Sequence, residues 1–299
     1  MILLMLATLF SAAFNLLMRV GQDRRCDTTA LGAISYITSA SYNIAVLAAT
    51  GMRGAAVRSG SAPHAASLLV GAAGGCAFVA AYFLTFQHLR RRGVTITMAV
   101  TRLAALVPVA VSMVVWRDRT TPLQLLGGAF AVISLPFLCA RPSQRGEKRG
   151  VGAILLAPVL FMVQGLCLLA PRVFNQTGIR GENGYYLTAL FGAAAIASSG
   201  VWVAKSVHAR RVRMCTPNRP VLATVILGVG LGLLNTFASQ FLVSSLLELP
   251  SILVFPFYST VGLLIIIIFS QFVWRETVNH LETAGIVMTC AAIVLMNIA

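Results

Sequence analysis

Charged side chains are scarce in this chain. Only 10% of its 299 residues are Asp, Glu, Lys or Arg, whereas a soluble domain carries about a quarter. Hydrophobic residues make up 58% of the sequence and are gathered in long uncharged runs. This composition excludes an ordinary soluble enzyme or binding module and indicates an integral membrane protein.

The uncharged runs are long enough to be membrane-spanning helices, which need about 20 residues each. The runs are 2–18, 29–52, 65–86, 103–116, 120–140, 150–171, 183–204, 220–247, 249–274 and 283–299. We extend the fourth run back to about Gly93, across Arg102, to give it the required length. The pattern therefore predicts an all-α integral membrane fold with ten transmembrane helices.

Acidic residues are fewer still, with 8 Asp and Glu against 23 Lys and Arg. Sixteen of the basic residues fall in the odd-numbered loops, six in the even-numbered loops, and one, Arg102, inside a run. The positive-inside rule then places the odd loops in the cytoplasm and both termini outside. Because the basic residues are not interleaved with aromatic ones, we expect the bilayer of the cell (inner) membrane as partner, and no nucleic acid.

The sequence also lacks the usual signatures of catalysis and metal binding. No two of its six cysteines have ligand spacing, and four lie in predicted helices, where cysteine packs as a small apolar residue. A nucleophile elbow, a phosphate loop and an acyltransferase His-x-x-x-x-Asp pattern are all missing. We therefore expect no enzyme activity, no metal and no cofactor.

A short pattern occurs twice, as "VVWRDRTTPLQLLGG" from Val114 and "FVWRETVNHLETAGI" from Phe272. At an offset of 158 residues the two copies pair Trp116 with Trp274, Asp118 with Glu276, and Gly127 with Gly285. One helix earlier, at an offset of 157, Gly71 and Gly75 pair with Gly228 and Gly232. Each copy predicts a helix end at the membrane interface, a tight turn and a capped helix start, with a glycine for close helix contact.

The repeat divides the chain into two halves. Five predicted helices occupy 1–140, a basic linker occupies 141–150, and five more helices occupy 151–299. Because each half has an odd number of crossings, the second half must be inserted in the opposite direction. Two inverted five-helix repeats are typical of secondary transporters, which hold their substrate between the repeats near the middle of the membrane.

The repeated residues resemble the drug/metabolite transporter superfamily, in its ten-helix, EamA-like branch. That family joins its fourth and fifth helices, and its ninth and tenth, through a proline, a Gly-Glu pair, a turn and a later glycine. The matching positions are Pro108, Asp118, Gln124 and Gly127, then Glu276, Glu282 and Gly285. The chain departs from the pattern with Asp118 in place of Glu, and with Arg117 and Arg275 in place of Gly.

The resemblance implies a transporter of small metabolites, commonly an exporter, with a cavity lined by helices 1, 3, 4, 6, 8 and 9. It also implies cytoplasmic termini, which conflicts with the orientation that the loop charges predict. Assignment to a subgroup defined by substrate is not supported by the residues that carry the resemblance.

Arg102 is the charged residue nearest the middle of any run, and its partner in the repeat register is Thr260. One interpretation has Arg102 snorkel or bind backbone carbonyls near a kink at Pro108. The other has it face a central cavity and hold a carboxylate or phosphate. The further candidates for substrate binding are Gln164, Asn235, Tyr258 and Thr260.

Together these features predict a secondary transporter that moves a small polar or anionic metabolite by alternating access. A scaffold subunit without transport activity, and a flippase for a lipid-linked anion, are the alternatives. An occluded centre with Arg102 bonded only to protein would favour the scaffold. The identity of the substrate, the coupling ion, the direction of transport and the oligomeric state stay open.

Overall fold

The computed structural model describes residues 1–51, 65–115, 151–177, 182–211, 221–249, 251–274 and 280–298, with isolated positions between 122 and 137. Several sequence predictions lie outside these residues. They are the linker 141–150, most of the fifth predicted helix, and the motif residues Trp116, Asp118 and Glu276.

Regular structure in the described part of the chain is helical throughout, as the composition predicts. The helices are α1 (Ile2–Asp23), α2 (Thr28–Gly51), α3 (Ala65–Leu103), α4 (Leu106–Val115), α5 (Val151–Thr177), α6 (Asn183–Arg211), α7 (Val221–Glu248), α8 (Ser251–Phe269) and α9 (His280–Ile298). A π-helical turn, Ser270–Trp274, continues α8.

Seven helical stretches among the described residues are long and apolar enough to cross a membrane. Their outer surfaces are apolar: Leu69, Ile196 and Val221 are 69%, 78% and 75% exposed. An exposed apolar surface of this extent is stable against lipid and not against water. The chain is therefore an all-α, multi-pass membrane protein, in agreement with the prediction at this level.

The helix α3 is two limbs joined at Gly93. The backbone there has φ 80° and ψ 179°, a conformation that glycine adopts readily. Nδ1 of His88 lies 2.8 Å from Oγ1 of Thr97, whereas nine residues of straight helix would separate them by about 13 Å. The chain therefore folds back at Gly93, where the sequence placed the start of the fourth segment. We call 65–92 the first limb and 94–103 the second limb.

The second limb ends directly after Arg102, and Pro108 supplies a reason. Proline has no N–H to donate to the carbonyl four residues earlier, that of Ala104, and its ring crowds that carbonyl. The N–H of Val107 donates to the carbonyl of Ala104 instead, at 3.0 Å, and that of Ala105 donates to Arg102 at 3.2 Å. These tighter bonds form the turn between α3 and α4, so Arg102 stands at a break in the helix.

Two pairs of glycines bring helix backbones into direct contact. A Cβ on Gly71 would lie 2.7 Å from the carbonyl oxygen of Tyr186, and one on Gly75 would overlap the carbonyl oxygen of Leu190. In the same way, Gly228 contacts the side chain of Ile34, and Gly232 contacts the carbonyl oxygen of Ser35. Small residues at such positions allow the close packing on which membrane helices depend. The first pair joins α3 to α6, and the second joins α7 to α2.

Candidate functional site

A cavity of about 1030 Å³, including the part that opens to solvent, lies between the helices. It is bounded by α1, α2, both limbs of α3, α5, α6, α7 and α8. Four of the five residues that the sequence proposed for substrate binding line it: Arg102, Gln164, Asn235 and Tyr258. The side chain of the fifth, Thr260, lies outside the described part of the structure.

The guanidinium of Arg102 is held by two helices. Its Nη2 donates to Oγ of Ser11 on α1 at 3.0 Å, and its Nη1 donates to the backbone carbonyl of Tyr258 on α8 at 3.3 Å. The guanidinium carbon stands 4.6 Å from the centre of the Tyr258 ring, a distance at which a cation and an aromatic face attract. The hydroxyl of Tyr258 donates to the same Ser11 oxygen at 2.7 Å. Arg102 is thus fixed from two directions.

Arg102 is only 4% exposed, so it does not snorkel to the membrane surface. It does bind a backbone carbonyl, but one on a different helix from its own. Within the described residues no carboxylate lies within ion-pairing distance of it. A buried cation without a counter-charge is costly, and an anion in the adjoining cavity would remove that cost. The arrangement combines features of both sequence interpretations, since Arg102 is bonded to protein and also lines a cavity.

Gly262 lies one helical turn after Tyr258 and makes room for the guanidinium. A Cβ at this position would lie 2.7 Å from Cζ of Arg102 and 2.8 Å from Nη2. Real side chains essentially never approach so closely, so any larger residue would displace the arginine head group. The ring of Tyr258 and the space left by Gly262 together form the surface of α8 on which the guanidinium of Arg102 lies.

Other polar groups in the cavity wall are left open. Among the described residues, the carboxamides of Gln164 and Asn235 have no hydrogen-bond partner, and Oγ of Ser259 is buried and unpartnered. Asn15 on α1 donates from Nδ2 to the carbonyl of Ser11 at 2.8 Å, which leaves its Oδ1 available. Buried polar groups of proteins are usually paired, so open groups beside a cavity are ready for a ligand or water.

A second part of the wall is aromatic and comes from α2, the first limb of α3 and α6. The hydroxyl of Tyr36 donates to the carbonyl of Phe78 at 3.0 Å, and that of Tyr82 donates to the carbonyl of Thr28 at 3.2 Å. The rings of Tyr36 and Tyr82 meet edge to face, with centres 5.8 Å apart. Because both hydroxyls donate to backbone carbonyls, this part of the wall offers aromatic surface and no free tyrosine donor.

Sequence reasoning missed several of these residues. Ser11 and Asn15 are four residues apart on α1, and that spacing of polar residues in an apolar run was a usable signal for one helix face. Tyr82 is a weak candidate by sequence because it lies closer to a helix end. The contributions of α2 and α6, which are the second and seventh predicted helices, were not expected, since the resemblance implies a cavity lined by other helices. No sequence signal marked Gly262.

The repeat-motif residues that the structure describes lie away from the cavity. Gly127 and Gly285 are helical and buried. Trp274 ends the π-helical turn, and its Nε1 donates to Oδ2 of Asp23 at 2.6 Å. This bond ties the end of α8 to the end of α1, so Trp274 fastens two helices in addition to its predicted position at the interface.

Comparison with known proteins gives a likeness of fold. No family model matches the chain, and no curated protein matches it. A solved structure, described only as the crystal structure of a protein, is similar over 98% of this chain and 96% of its own length. The TM-score is 0.60 and the sequence identity is 16%. At that identity the likeness shows a shared fold and carries nothing about function.

Proposed function

We propose that this chain is a secondary transporter of the drug/metabolite transporter type, in the ten-helix, EamA-like branch. It moves a small polar or anionic metabolite by alternating access. Two inverted five-helix repeats, 1–140 and 151–299, enclose the site between them. The observation that carries the proposal is the buried, seated Arg102 at the wall of a cavity between the two halves.

The helix count of ten is an extension of what the structure describes. The long stretch Ala65–Pro108 contains two crossings, because the chain folds back at Gly93. The helix α9 adds one crossing, and the predicted helix at 120–140, largely outside the described residues, adds another. With the other six long apolar stretches the total is ten.

The glycine contacts support the inverted repeat. Gly71 and Gly75 of the first half pack on α6 of the second half, and Gly228 and Gly232 of the second half pack on α2 of the first. The contacts that correspond are with Tyr186, Ala189, Leu190 and Ala193 in one case and with Leu31, Ile34, Ser35 and Thr38 in the other, while Gly75 also contacts the backbone nitrogen of Ala194. These four pairs each differ by 155 positions, and the glycines differ by 157. Such exchanged contacts are what a twofold axis between the halves requires.

The helix neighbours follow the same exchange. In the first half α1 packs on α7 and α8, while in the second half α5 packs on α3 and α4. These neighbours correspond if α5 repeats α1, α7 repeats the first limb of α3, and α8 repeats the second limb with α4. A transporter needs two such related bundles that can tilt against each other around a fixed site.

A binding screen followed by transport tests the proposal. The full chain, purified in a neutral detergent, is screened by thermal shift against amino acids, organic anions and nucleotide-like metabolites. The best hit is then followed into proteoliposomes along an imposed gradient. We expect Arg102→Ala to weaken binding of the hit at least about tenfold, the loss that one charge-assisted hydrogen bond to a ligand represents. Arg102→Lys, which keeps the charge and loses the fork geometry, should fall between.

The matched control is Arg90→Ala, which removes an exposed arginine close to the turn between the two limbs and should leave binding unchanged. A hit whose affinity is the same in Arg102→Ala would show that the site is elsewhere. A well-folded protein that moves none of the screened solutes would contradict the transporter and favour the scaffold. Movement of a fluorescent anionic lipid between leaflets, without solute transport, would favour the flippase.

A further inference from the structure

We propose that the site takes a monoanionic carboxylate with an apolar, aromatic-sized body and no cationic group. This inference rests on the proposed function and names the substrate class for the same cavity. It is narrower than a polar or anionic metabolite, since it excludes zwitterions, dianions and sugar-like solutes. Three features of the cavity wall carry it.

The first feature is the charge of the wall. Among the described residues that line the cavity, Arg102 is the one with a formal charge, and no carboxylate accompanies it. A second negative charge on the ligand would therefore be left without compensation at membrane depth. An ammonium group, as in an amino acid, would lose its water without gaining a carboxylate partner. A single negative charge fits the wall, and other charge states do not.

The second feature is the location of the open polar groups. Arg102, Ser11 and Tyr258 are bonded to one another. Asn235 lies at the level of this cluster, because α1 and α7 run antiparallel with Phe10 beside Phe237 and Leu17 beside Gly230. Its carboxamide can donate to a carboxylate that Arg102 also binds. The hydrogen-bond donors that a carboxylate needs are thus gathered in one part of the wall.

The third feature is the apolar surface from the remaining helices. The hydroxyls of Tyr36 and Tyr82 donate to backbone carbonyls, so these side chains offer a ligand their rings and no free hydrogen-bond donor. Tyr186 is fully buried and stacks on Phe174 with ring centres 4.3 Å apart, which fixes a further part of the wall. Leu187 and Leu190 line the same side. A sugar-like body would leave its hydroxyls without partners here, whereas an aromatic body would gain contact.

Four small probes with one shared skeleton test the class. They are 3-phenylpropanoate, phenylalanine, which adds an ammonium, 3-phenylpropanamide, which removes the charge, and propanoate, which removes the ring. Dissociation constants are measured by titration calorimetry on the full chain in a neutral maltoside detergent. We expect 3-phenylpropanoate to bind at least about tenfold more tightly than each of the other three, which is the discrimination that a single buried ionic or ring contact supplies.

Two variants locate the effect. Arg102→Gln keeps a donor for Ser11 and removes the charge, so the preference for the carboxylate over the amide should disappear. Tyr42→Phe is the matched control, since it removes a tyrosine hydroxyl on the same helix as Tyr36 but outside the cavity lining, so the affinity for 3-phenylpropanoate should stay within about twofold of the wild type. A preference for the carboxylate over the amide that survives in Arg102→Gln would show that Arg102 does not bind the carboxylate and would overturn the proposal.

Each result with the wild-type chain decides the proposal. Equal binding of phenylalanine would refute the exclusion of zwitterions, equal binding of the amide would refute the need for charge, and equal binding of propanoate would refute the need for a body. Absence of binding by all four probes would refute the substrate class. The proposed transport function is judged separately, by whether any solute from the wider screen crosses proteoliposomes in an Arg102-dependent way.

Discussion

Replacing Gly262 with alanine should displace the guanidinium of Arg102 and weaken anion binding, while leaving the charge of Arg102 in place. The added Cβ would lie 2.7 Å from the guanidinium carbon, and ordinary contact begins at 3.4 Å, so the head group must move by about 0.7 Å. We expect this movement to lead away from the carbonyl of Tyr258, which lies one turn before Gly262 on α8. The bond there is already 3.3 Å long and would lengthen to about 4 Å, which is no longer a hydrogen bond.

The size of the effect follows from that lost bond. A hydrogen bond to a charged group contributes about 1.5–3 kcal/mol. If the loss of this support is transmitted to the bound anion, the affinity should fall by about 10- to 100-fold, since each 1.4 kcal/mol is tenfold. The fall should appear for 3-phenylpropanoate and be much smaller for its uncharged amide. Titration calorimetry on Gly262→Ala and the wild type measures both values.

Two controls distinguish displacement of the Arg102 guanidinium from a general loss of stability. Gly192→Ala places the same methyl group where no atom lies within 4 Å, so it should change neither affinity nor melting temperature. In an Arg102→Gln background, Gly262→Ala should cause no further loss, because the group that it displaces is gone. If Gly262→Ala kept full affinity while Arg102→Gln lost it, Gly262 would not be needed to position the guanidinium for binding.

Two further predictions concern the frame. Gly75→Ala and Gly232→Ala each drive a methyl group into a backbone carbonyl of a neighbouring helix. Each should therefore lower the unfolding free energy by about 1–3 kcal/mol, which is seen as a lower melting temperature of the detergent-solubilised chain. Gly200→Ala is the control and should leave the melting temperature unchanged, because no atom lies within 4 Å of the added methyl group. Equal melting temperatures for all three variants would refute the close helix contacts at Gly75 and Gly232. Ser143→Cys, in a chain without its six natural cysteines, should react with an impermeant reagent only from the cytoplasmic side, because the linker is basic. Reaction from outside would refute the orientation that the loop charges predict.

Much of the fold was accessible from the sequence because a bilayer imposes simple rules. Long apolar runs must become helices, since lipid offers no partner for backbone N–H and C=O groups. The break at Gly93 was also predictable, because a glycine follows three consecutive arginines between two apolar segments. The place of Arg102 within a run marked it as a candidate but left open whether it snorkels or faces a cavity. These inferences need only local sequence.

The composition of the cavity wall needed more than local sequence. Tyr36 and Tyr82 offer the cavity no free donor only because backbone carbonyls of other segments accept hydrogen bonds from their hydroxyls. Gly262 matters because Arg102 arrives from a helix about 160 positions earlier. The bond between Asp23 and Trp274 likewise joins distant chain segments. Apolar helices in a membrane protein show little periodicity, so the sequence does not reveal which face meets which neighbour.

The single arginine is the point at which the proposed twofold frame is broken, and this has a consequence for recognition. In the repeat register the partner of Arg102 is Thr260, two residues before Gly262 on the helix that seats the guanidinium. Two arginines related by the axis would face each other across one cavity, repel, and together require a dianion. Among the described residues the cavity wall instead has one cation, and the corresponding helix supplies the Tyr258 ring and the space at Gly262 that hold it. A symmetric frame with one charge therefore favours an asymmetric ligand, charged at one end and apolar at the other.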